Sequence, residues 1–466
     1  MIRTVLGVVL SVCAGCAGCT AVWAQAVDTI DPQMKARVDA IAAGVMEQRG
    51  VPSASVAVVQ RGKLVYAHAY GRAHIDPDKA ATADMRYSIG SISKQFTAAA
   101  ILLLQEEGKL KLDDPVGKYV PGLTQGDAVT IRQILSHTSG YQDFWPEDYL
   151  MKPMEQSTTA QEILNVWAKK PLDFEPGTQW QYSNTNYVIA GVIVEKVAGQ
   201  KLMDFLGEKV FHPLNMRSVW NSDEAKLTQT DATAYIRNAL GPLRPAAKEG
   251  RGWMFAAGEL AMTAHDLALW DESLIAQKLL KPESYREMFT EVKLKDGKGT
   301  HYGLGVDVKD LDGHRDISHS GEVTGFVADN EVLVDDGVAV AVLTNHMAGG
   351  AGSIAQLCAS TVAGQKRTAA EEETLAMYRG LQKGELDRSK LAPNLDAYFD
   401  AQTVADFKNS LGPLGEPLTF QQVDTNLRGG MTYRSFRIVY PTRRLGLTTY
   451  TYPDGKMEQF LVYPGQ

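Results

Sequence analysis

The sequence contains very little cysteine, with four residues in a chain of 466. Three of them, Cys13, Cys16 and Cys19, lie within the first 26 residues, which leaves Cys358 alone in the rest of the chain. Because one cysteine cannot form an internal disulfide, we expect the folded protein to be stable without disulfide bonds. The apolar context SIAQLCAS favours a buried helix face for Cys358 over a role as a nucleophile.

The sequence also lacks an excess of basic charge. It has 47 lysine and arginine residues against 55 aspartate and glutamate residues, and a formal net charge of −8. Since no run of basic side chains occurs either, nucleic-acid binding is not expected. The content of 44% hydrophobic and 22% charged residues is typical of a soluble globular protein with a large core.

Long apolar runs are absent after the N-terminal segment, so no second stretch of the sequence could span a bilayer. Residues 1–26 begin with one basic side chain, continue through small and apolar residues, and end in Ala24-Gln25-Ala26. That pattern predicts a signal peptide cut after Ala26, with export to the periplasm or the medium. A retained membrane anchor is one alternative. Lipid attachment to an N-terminal cysteine is a less favoured one, and once the segment is cleaved the protein would contact a membrane only if it were lipidated.

Several catalytic sequence motifs are missing. No serine stands in a G-x-S-x-G sequence, which disfavours an α/β-hydrolase, and no H-E-x-x-H sequence occurs. The nine histidines are scattered, which argues against a zinc site. We expect no metal and no cofactor. His137, in LSHTSG, is a candidate base of a catalytic triad, although a loop histidine bonded to the backbone is the favoured interpretation.

The pattern of apolar residues predicts an α+β fold. Residues 52–73 alternate and turn at Arg61-Gly62, which predicts a β-hairpin, and strands are predicted again after about residue 301. The pattern between them is mostly helical. We therefore expect an antiparallel sheet flanked by helices, whose first and last strands meet, with an all-helical lobe inserted. The predicted division is a signal peptide over 1–26, a main domain over 27–365, a charged linker with helical tendency over 366–390, and a small helix-and-meander domain over 391–466.

A serine and a lysine stand one turn apart where a buried helix is predicted to begin, in SIGSISKQFTAAAILLLQEEGKL. Side chains three residues apart lie on the same face of a helix, so Lys94 can reach the hydroxyl of Ser91. A lysine desolvated by apolar neighbours can accept a proton, which would make the serine a nucleophile. The N–H groups at the helix start suit an oxyanion. Simple helix capping by Ser91 is the structural alternative.

Two further short motifs follow in the chain. Tyr182-Ser183-Asn184 precedes an apolar helix and could be only a capping or turn sequence. His319-Ser320-Gly321 begins a predicted strand, where the glycine would let a substrate lie close to the strand edge. Each motif alone is weak evidence. The three motifs together, in this order and each at the edge of a suitable element, indicate a catalytic site.

With the flanking residues RYSIGSISKQFTA, ILSHTSGY, PGTQWQYSNTNYVIAGVIVEKVAG and SHSGEVTGF, the sequence resembles the penicillin-recognising serine hydrolases over roughly residues 34–364. It is most similar to the group that contains class C β-lactamases, D-aminopeptidases and related esterases. The resemblance implies that Ser91 is the acylated nucleophile, that Lys94 assists its deprotonation, and that Tyr182 is a general acid/base. The resemblance also implies that the substrate is held by Asn184, His319, Ser320, Gly321 and Glu322. The backbone N–H groups of Ser91 and Glu322 would form the oxyanion hole.

The third motif departs from the β-lactamases of this group, which open it with a lysine suited to the substrate carboxylate. Here the position is His319, which is mostly neutral at pH 7 by its reference pKa. We therefore expect hydrolysis of a small ester, amide or peptide, including D-amino-acid peptides, through an acyl-enzyme. A true β-lactamase is one alternative, and a penicillin-binding-type module that binds peptidoglycan or a partner with little turnover is another. Trp145, Trp180 and Trp253, beside the motifs, are expected either to pack in the core or to line an acyl pocket.

Overall fold

The computed structural model describes residues 27–364, here called the first unit, and residues 367–465, the C-terminal unit. In these ranges the α-helices are α1 (Pro32–Arg49), α2 (Ser93–Glu106), α3 (Ile131–Leu135), α4 (Ala160–Trp167), α5 (Asn184–Ala198), α6 (Leu202–Leu206), α7 (Phe255–Gly258), α8 (Ala264–Ala276), α9 (Pro282–Met288), α10 (Ala351–Ala363), α11 (Ala369–Lys383), α12 (Pro393–Tyr398) and α13 (Ala401–Leu411). The strands are β1 (Ser53–Gln60), β2 (Lys63–His74), β3 (Lys79–Ala80), β4 (Tyr87–Ser88), β5 (Trp220–Asn221), β6 (Tyr235–Arg237), β7 (Leu243–Pro245), β8 (Leu260–Met262), β9 (Asp307–Leu311), β10 (His314–Val323), β11 (Phe326–Leu333), β12 (Val338–Thr344), β13 (Thr419–Arg428), β14 (Met431–Tyr440), β15 (Arg443–Thr451) and β16 (Met457–Pro464).

A seven-stranded antiparallel sheet forms the centre of the first unit, in the order β3-β2-β1-β12-β11-β10-β9. The predicted hairpin is confirmed as β1 and β2, and the pairing of β1 with β12 brings the first and last long strands together as predicted. The strand β1 is buried on both faces. Val56 and Val58 face an apolar cluster with α1 and α10, whereas Ala57 and Val59 face the main core with α2 and α8. The expected α+β architecture is confirmed.

Helix α2 lies at the centre of the first unit. Its residues from Ser93 to Leu102 are all buried, in agreement with their nearly continuous apolar sequence. The helix contacts α5 and α7 of the helical lobe, and the 3-10 turn Gly90–Ile92 before it contacts β10 of the sheet. The start of α2 is therefore the place where the lobe and the sheet meet.

The C-terminal unit is a four-stranded antiparallel meander, β13-β14-β15-β16, packed with α11, α12 and α13. The helical tendency predicted for the linker over 366–390 is seen in Ala369–Lys383, which forms α11. Leu375, Tyr378 and Leu381 of this helix are buried in the apolar cluster of the C-terminal unit. Three apolar residues at intervals of three are enough to make one buried stripe on a helix that is otherwise charged.

The two units contact each other on the side of α1 and α10. Leu418, just before β13, is buried in the same apolar cluster as Val38 of α1 and Ile354 of α10. A Cβ at Gly44 of α1 would lie 2.9 Å from the carbonyl oxygen of Pro441, so the helix packs closely on the meander there. This contact lies on the face of the sheet opposite to α2.

The predicted signal peptide over 1–26, with its three cysteines, lies outside the described residues. Over 27–364 and 367–465, no helix is both long enough and apolar enough to cross a membrane. Cys358 is fully buried in α10, which confirms the expected core position. Burial raises the pKa of its thiol, so the structure gives no support to a nucleophilic role for this cysteine.

Candidate active site

Ser91 lies in the 3-10 turn Gly90–Ile92, which runs directly into α2, so its predicted position at a helix start is confirmed. The glycine before it is required by the packing. Gly90 has a φ of +51°, and a Cβ there would lie 2.7 Å from the backbone nitrogen of Glu322 on β10. The turn thus holds Ser91 against the strand that carries the third motif.

Lys94 is completely buried, and its Nζ has three hydrogen-bond partners. Nζ lies 2.8 Å from Oγ of Ser91, 2.8 Å from Oδ1 of Asn184 and 2.7 Å from the carbonyl oxygen of Ala257. Burial lowers the pKa of Lys94 to about 7, although the nearby carboxylate of Asp143 acts in the opposite direction. A substantial fraction of this lysine is therefore uncharged at neutral pH.

The three partners determine where the protons lie when Lys94 is neutral. Oδ1 of Asn184 and the carbonyl oxygen of Ala257 can only accept, so the two N–H bonds of the amine are directed at them. The lone pair of Nζ then faces Ser91, whose hydroxyl can donate to it. In this arrangement neutral Lys94 is positioned to accept the proton of the serine.

Tyr182 lies on the other side of the serine oxygen. Its hydroxyl donates to Oγ of Ser91 at 2.8 Å, and Nζ of Lys94 lies 5.0 Å from the centre of its ring. Burial raises the pKa of Tyr182 well above its usual value of 10, so the phenol is protonated at rest. The structure therefore brings the side chains of all three predicted catalytic residues together at one oxygen atom.

Asn184, the first residue of α5, is oriented by a carboxylate that the sequence analysis missed. Asp143 accepts the backbone N–H of Asn184 at 3.0 Å and its side-chain amide at 3.3 Å. These two contacts turn the amide so that Oδ1 faces Lys94. Because the two residues are 41 positions apart and lie in separate segments, no local spacing in the sequence indicates the contact.

His137 is a buried loop residue bonded to the backbone, which confirms the favoured interpretation. Its Nδ1 accepts the backbone N–H of Ser183 at 3.2 Å, and burial holds the pKa of the imidazole well below its usual value. The neutral ring packs against the ring of Tyr182, with the two centroids 4.3 Å apart. His137 thus supports the tyrosine from behind rather than acting on Ser91.

The third motif lies on β10, and its histidine is turned away from the substrate space. His319 is 4% exposed, with Nε2 at 2.8 Å from the hydroxyl of Tyr302 and Nδ1 bonded to the carbonyl oxygen of Ser320. Burial lowers the pKa of His319 to about 4, so the ring is neutral at pH 7. Gly321 permits a close contact, because a Cβ there would lie 1.8 Å from the carbonyl oxygen of Ile89.

The strand register directs the backbone N–H of Glu322 toward the serine. Strands β10 and β11 join through a two-residue turn after Val323, so the residues that flank the turn form a hydrogen-bonded pair. Glu322, one position earlier, is at a non-hydrogen-bonded position, and its N–H points away from β11. On that side β9 pairs only as far as Ser318, which leaves this edge of β10 open beside Ser91.

Ser91 lies at a pocket of about 600 Å³ whose walls are mainly aromatic and acidic. The aromatic side chains are Phe144, Trp145, Tyr149, Trp180, Tyr182 and Trp253, which include the three tryptophans expected near the motifs. The acidic side chains are Asp143, Glu147, Asp148 and Glu322, and no lysine or arginine from the described part of the chain lines the pocket. Asn184 is in the wall, whereas His319, Ser320 and Gly321 are not.

Comparison with known sequences gives one family and several relatives. A family model described as Beta-lactamase matches residues 38–363. Penicillin-binding protein 4* of Bacillus subtilis (strain 168) is 28% identical over 287 residues, which are 58% of this chain and 63% of that protein. A D-aminopeptidase of Brucella anthropi is 28% identical over 313 residues, which are 65% of this chain and 58% of that protein. The matched region thus spans roughly three-fifths of the length of these curated relatives.

Solved structures show the same similarity of fold. A D-stereospecific amidohydrolase from Streptomyces sp. has a TM-score of 0.62 at 28% identity, with 70% of this chain and 98% of that chain covered. The octameric penicillin-binding protein homologue from Pyrococcus abyssi has a TM-score of 0.64 at 22% identity, with 92% of this chain and 99% of that chain covered. The second likeness concerns the fold alone, and its coverage extends into the C-terminal unit.

Proposed function

The chain belongs to the Beta-lactamase family, and on this premise we propose that it is a serine hydrolase that cleaves esters or amides, with D-amino-acid amides and peptides as its substrate class. The observation that carries the proposal is the pair of 2.8 Å contacts that Lys94 and Tyr182 make with Oγ of Ser91 beside the pocket. A base and an acid on either side of one hydroxyl are the groups that nucleophilic acyl transfer requires.

In the acylation step, neutral Lys94 takes the proton of Ser91 while Oγ forms a bond to the carbonyl carbon of the substrate. The negative charge on the carbonyl oxygen faces the backbone N–H groups of Ser91 and Glu322, which are rigidly placed by the contact between Gly90 and β10. Tyr182 then donates its proton to the leaving nitrogen or oxygen as that bond breaks. The products of this step are the acyl ester of Ser91, the ammonium form of Lys94 and the phenolate form of Tyr182.

Deacylation restores the resting protonation states of Ser91, Lys94 and Tyr182. A water molecule gives one proton to the phenolate of Tyr182, and its oxygen forms a bond to the acyl carbon. Oγ of Ser91 leaves and takes its proton back from the ammonium of Lys94. Burial suits both residues to this cycle, because it lowers the pKa of the lysine to about 7 and raises the pKa of the tyrosine.

Support for the substrate class comes from the relatives and from the walls of the pocket. The proteins named D-aminopeptidase and D-stereospecific amidohydrolase are each 28% identical to this chain over the matched regions. The aromatic walls suit an apolar acyl side chain. The four carboxylates suit a neutral or positively charged group next to the scissile bond better than an anion.

Covalent labelling tests the proposal without knowledge of the substrate. A fluorophosphonate probe should label the protein once, on the peptide that contains Ser91, and Ser91→Ala should abolish labelling. Ser389→Ala, in the C-terminal unit, is the matched control and should label like the original protein. Labelling that persists in Ser91→Ala would contradict the proposal. A panel of p-nitrophenyl esters and D-amino-acid amides then identifies the preferred substrate.

A true β-lactamase is the alternative enzyme, and the pocket does not favour it. The carboxylate of a β-lactam lies close to the scissile bond, where it would meet Glu322 and Asp148 and no lysine or arginine of the described ranges. We therefore expect kcat/KM at pH 7 to be at least about tenfold higher for a small neutral ester than for a chromogenic cephalosporin. Efficient turnover of the cephalosporin would favour the alternative.

We propose, from the sequence of residues 1–26 alone, that the protein is exported to the periplasm or the medium. The support is the basic start, the small and apolar run, and the Ala24-Gln25-Ala26 ending. N-terminal sequencing of exported protein should begin at Val27. Replacement of Ala26 with a bulky residue, as in Ala26→Phe, should block this cleavage. Full-length chain confined to the cytoplasm would contradict the proposal.

A further inference from the structure

A second cavity, of about 780 Å³, adjoins the catalytic pocket. The two cavities share Met254, Val323 and Thr324 in their walls. Val323 and Thr324 directly follow Glu322, whose N–H faces Ser91. A substrate that lies along the open edge of β10 therefore reaches the second cavity within about two residues of strand length.

The second cavity differs from the catalytic pocket in charge. Its walls include three lysines, Lys79, Lys226 and Lys248, and two acidic residues, Asp76 and Glu249. The catalytic pocket has four carboxylates and, in the described ranges, no lysine or arginine. The wall between the two cavities thus separates a negative region from one with an excess of positive charge.

Two of the three lysines of the second cavity hydrogen-bond to backbone oxygens, and Lys248 also interacts electrostatically with the buried carboxyl of Asp223. Lys79 donates to the backbone carbonyl of Gln229 at 3.4 Å, and Lys248 donates to the backbone carbonyl of Glu249 at 3.2 Å. Among the described residues, no salt bridge joins either of them, or Lys226, to an aspartate or glutamate. The nearest carboxylate to Thr324 in this wall is that of Glu249, which accepts the backbone N–H of Thr324 at 2.9 Å. The positive charge of the lysines is therefore available to an anionic ligand.

Two buried polar atoms on the walls of this cavity also lack a hydrogen-bond partner among the described residues, Nε2 of His74 and Oγ1 of Thr324. Nδ1 of His74 lies 2.8 Å from the hydroxyl of Thr233. When Nδ1 accepts from that hydroxyl, Nε2 carries a proton and is a donor. Buried polar atoms without a protein partner are uncommon, and such atoms are normally satisfied by water or by a ligand.

We propose that the second cavity is an anion subsite, which binds a carboxylate of the substrate about two residue lengths, or roughly 7 Å, from the scissile carbonyl. The lysines supply positive charge, and His74 and Thr324 supply donors. The inference rests on the proposed hydrolase function and defines its substrate class more closely, as a short peptide or an N-acylated amino-acid amide that carries a remote carboxylate. A carboxylate next to the scissile bond would instead meet the acidic pocket.

A matched pair of substrates tests the subsite: N-succinyl-D-phenylalanine p-nitroanilide, with a free carboxylate, and the methyl ester of its succinyl group. We expect kcat/KM to be about tenfold higher for the free carboxylate at low salt, and the ratio to shrink in about 0.5 M NaCl. The triple variant Lys79→Gln, Lys226→Gln, Lys248→Gln should bring the two values within about twofold of each other. Lys63→Gln, at the opposite end of β2 from His74, is the control and should keep the tenfold ratio.

Failure of the subsite and failure of the hydrolase function give different results. Equal kcat/KM for the two anilides, or a ratio that survives in the triple variant, would overturn the subsite. Hydrolysis of neither anilide would count against the hydrolase function alone. In that case calorimetry with the Ser91→Ala protein compares N-succinyl-D-phenylalanine amide with its methyl ester. Tighter binding of the free carboxylate, lost in the triple variant, supports the subsite, and equal binding overturns it.

Discussion

The proposed chemistry depends most on the buried amine of Lys94. Its three partners are neutral oxygen atoms, and no carboxylate from residues 27–364 or 367–465 bonds to Nζ directly. Asp143 is hydrogen-bonded to the amide of Asn184 rather than to Nζ, and it acts on Lys94 through its charge. A buried lysine with a directly bonded carboxylate would stay charged, whereas this one has a pKa near 7 and can exchange a proton at neutral pH.

Lys94 and Tyr182 share the oxygen of Ser91, so we expect them to act as one catalytic unit. Lys94→Ala and Tyr182→Phe should each lower kcat by about 10²-fold or more, and the double variant should be little worse than either. Steady-state kinetics on the best ester checks this, with thermal melts to confirm folding. Tyr187→Phe is the matched control, because its hydroxyl bonds to the backbone of Leu135 and not to Ser91. Full multiplication of the two losses would show that the residues act separately.

At the scale of single residues, the sequence predicts contacts that are local in the chain. Ser91 and Lys94 could be paired because three residues make one helical turn. Tyr182 and Asn184 could be placed beside them only through resemblance to a family. The roles of Asp143 and of the carbonyl of Ala257 could not be predicted, because those contacts join segments that are distant in the sequence.

At the scale of elements, the site depends on the close approach of two pieces of backbone, the 3-10 turn before α2 and the end of β10. Glycine is present on both sides of this contact, at Gly90 and Gly321. A Cβ at Gly90 would lie 2.7 Å from the nitrogen of Glu322, and a Cβ at Gly321 would lie 3.2 Å from the nitrogen of Ser91, so the missing side chains let the two backbone segments approach each other closely. We therefore propose that backbone packing between a helix start and a strand edge sets the oxyanion position.

Gly321→Ala tests this close approach. Its Cβ would lie 1.8 Å from the carbonyl oxygen of Ile89, so the strand or the turn must move. Because a displacement of about 1 Å in such a site can cost about 10² in rate, we expect a loss of that size in kcat for ester hydrolysis. Gly207→Ala, where the nearest atom is 4.0 Å from the new Cβ, is the control. A folded Gly321→Ala protein with normal kcat would contradict this account of the oxyanion position.

The long apolar strands and helices could be predicted from the period of their apolar residues. A mostly charged helix and the shortest strands were harder to predict. Strands β1 and β2 alternate around a turn, and α10 contains Cys358, for which a buried helix face was expected. Helix α11 was interpreted as part of a linker with helical tendency, because its charged residues outnumber its three buried apolar ones. Strands as short as Tyr87–Ser88 carry too few residues to show any period, since their pairing depends on the fold around them.

At the scale of the whole molecule, the catalytic pocket and the contact between the two units lie on opposite faces of the central sheet. All residues that line the pocket belong to the first unit. The contact with the C-terminal unit involves α1, α10 and Leu418. The fold as a whole also assembles the charges around β10. Lys79, Lys226 and Lys248 come from three separate segments, so they could not be grouped from the sequence.

A shortened chain of residues 27–364 tests whether the C-terminal unit is needed for the chemistry. We expect it to fold and to keep Ser91-dependent ester hydrolysis within about fivefold of the rate of the full chain. Its melting temperature should be lower by several degrees, because removal of Leu418 uncovers apolar surface on α1 and α10. Circular dichroism, thermal melts and ester kinetics check these points. Folded material without turnover would show that the C-terminal unit completes the site.

The pH dependence of fluorophosphonate labelling tests the central claim, that neutral Lys94 activates Ser91, most directly. Below its pKa the lysine is protonated and cannot accept the serine proton, so the labelling rate should rise with pH through a midpoint of about 7 and then level off. Lys94→Gln should label at least about 10²-fold more slowly and lose this rise. Two results would contradict the account. One is a labelling rate that does not change between pH 5 and 9, which is roughly the range over which the lysine titrates. The other is a rise with pH that persists in Lys94→Gln.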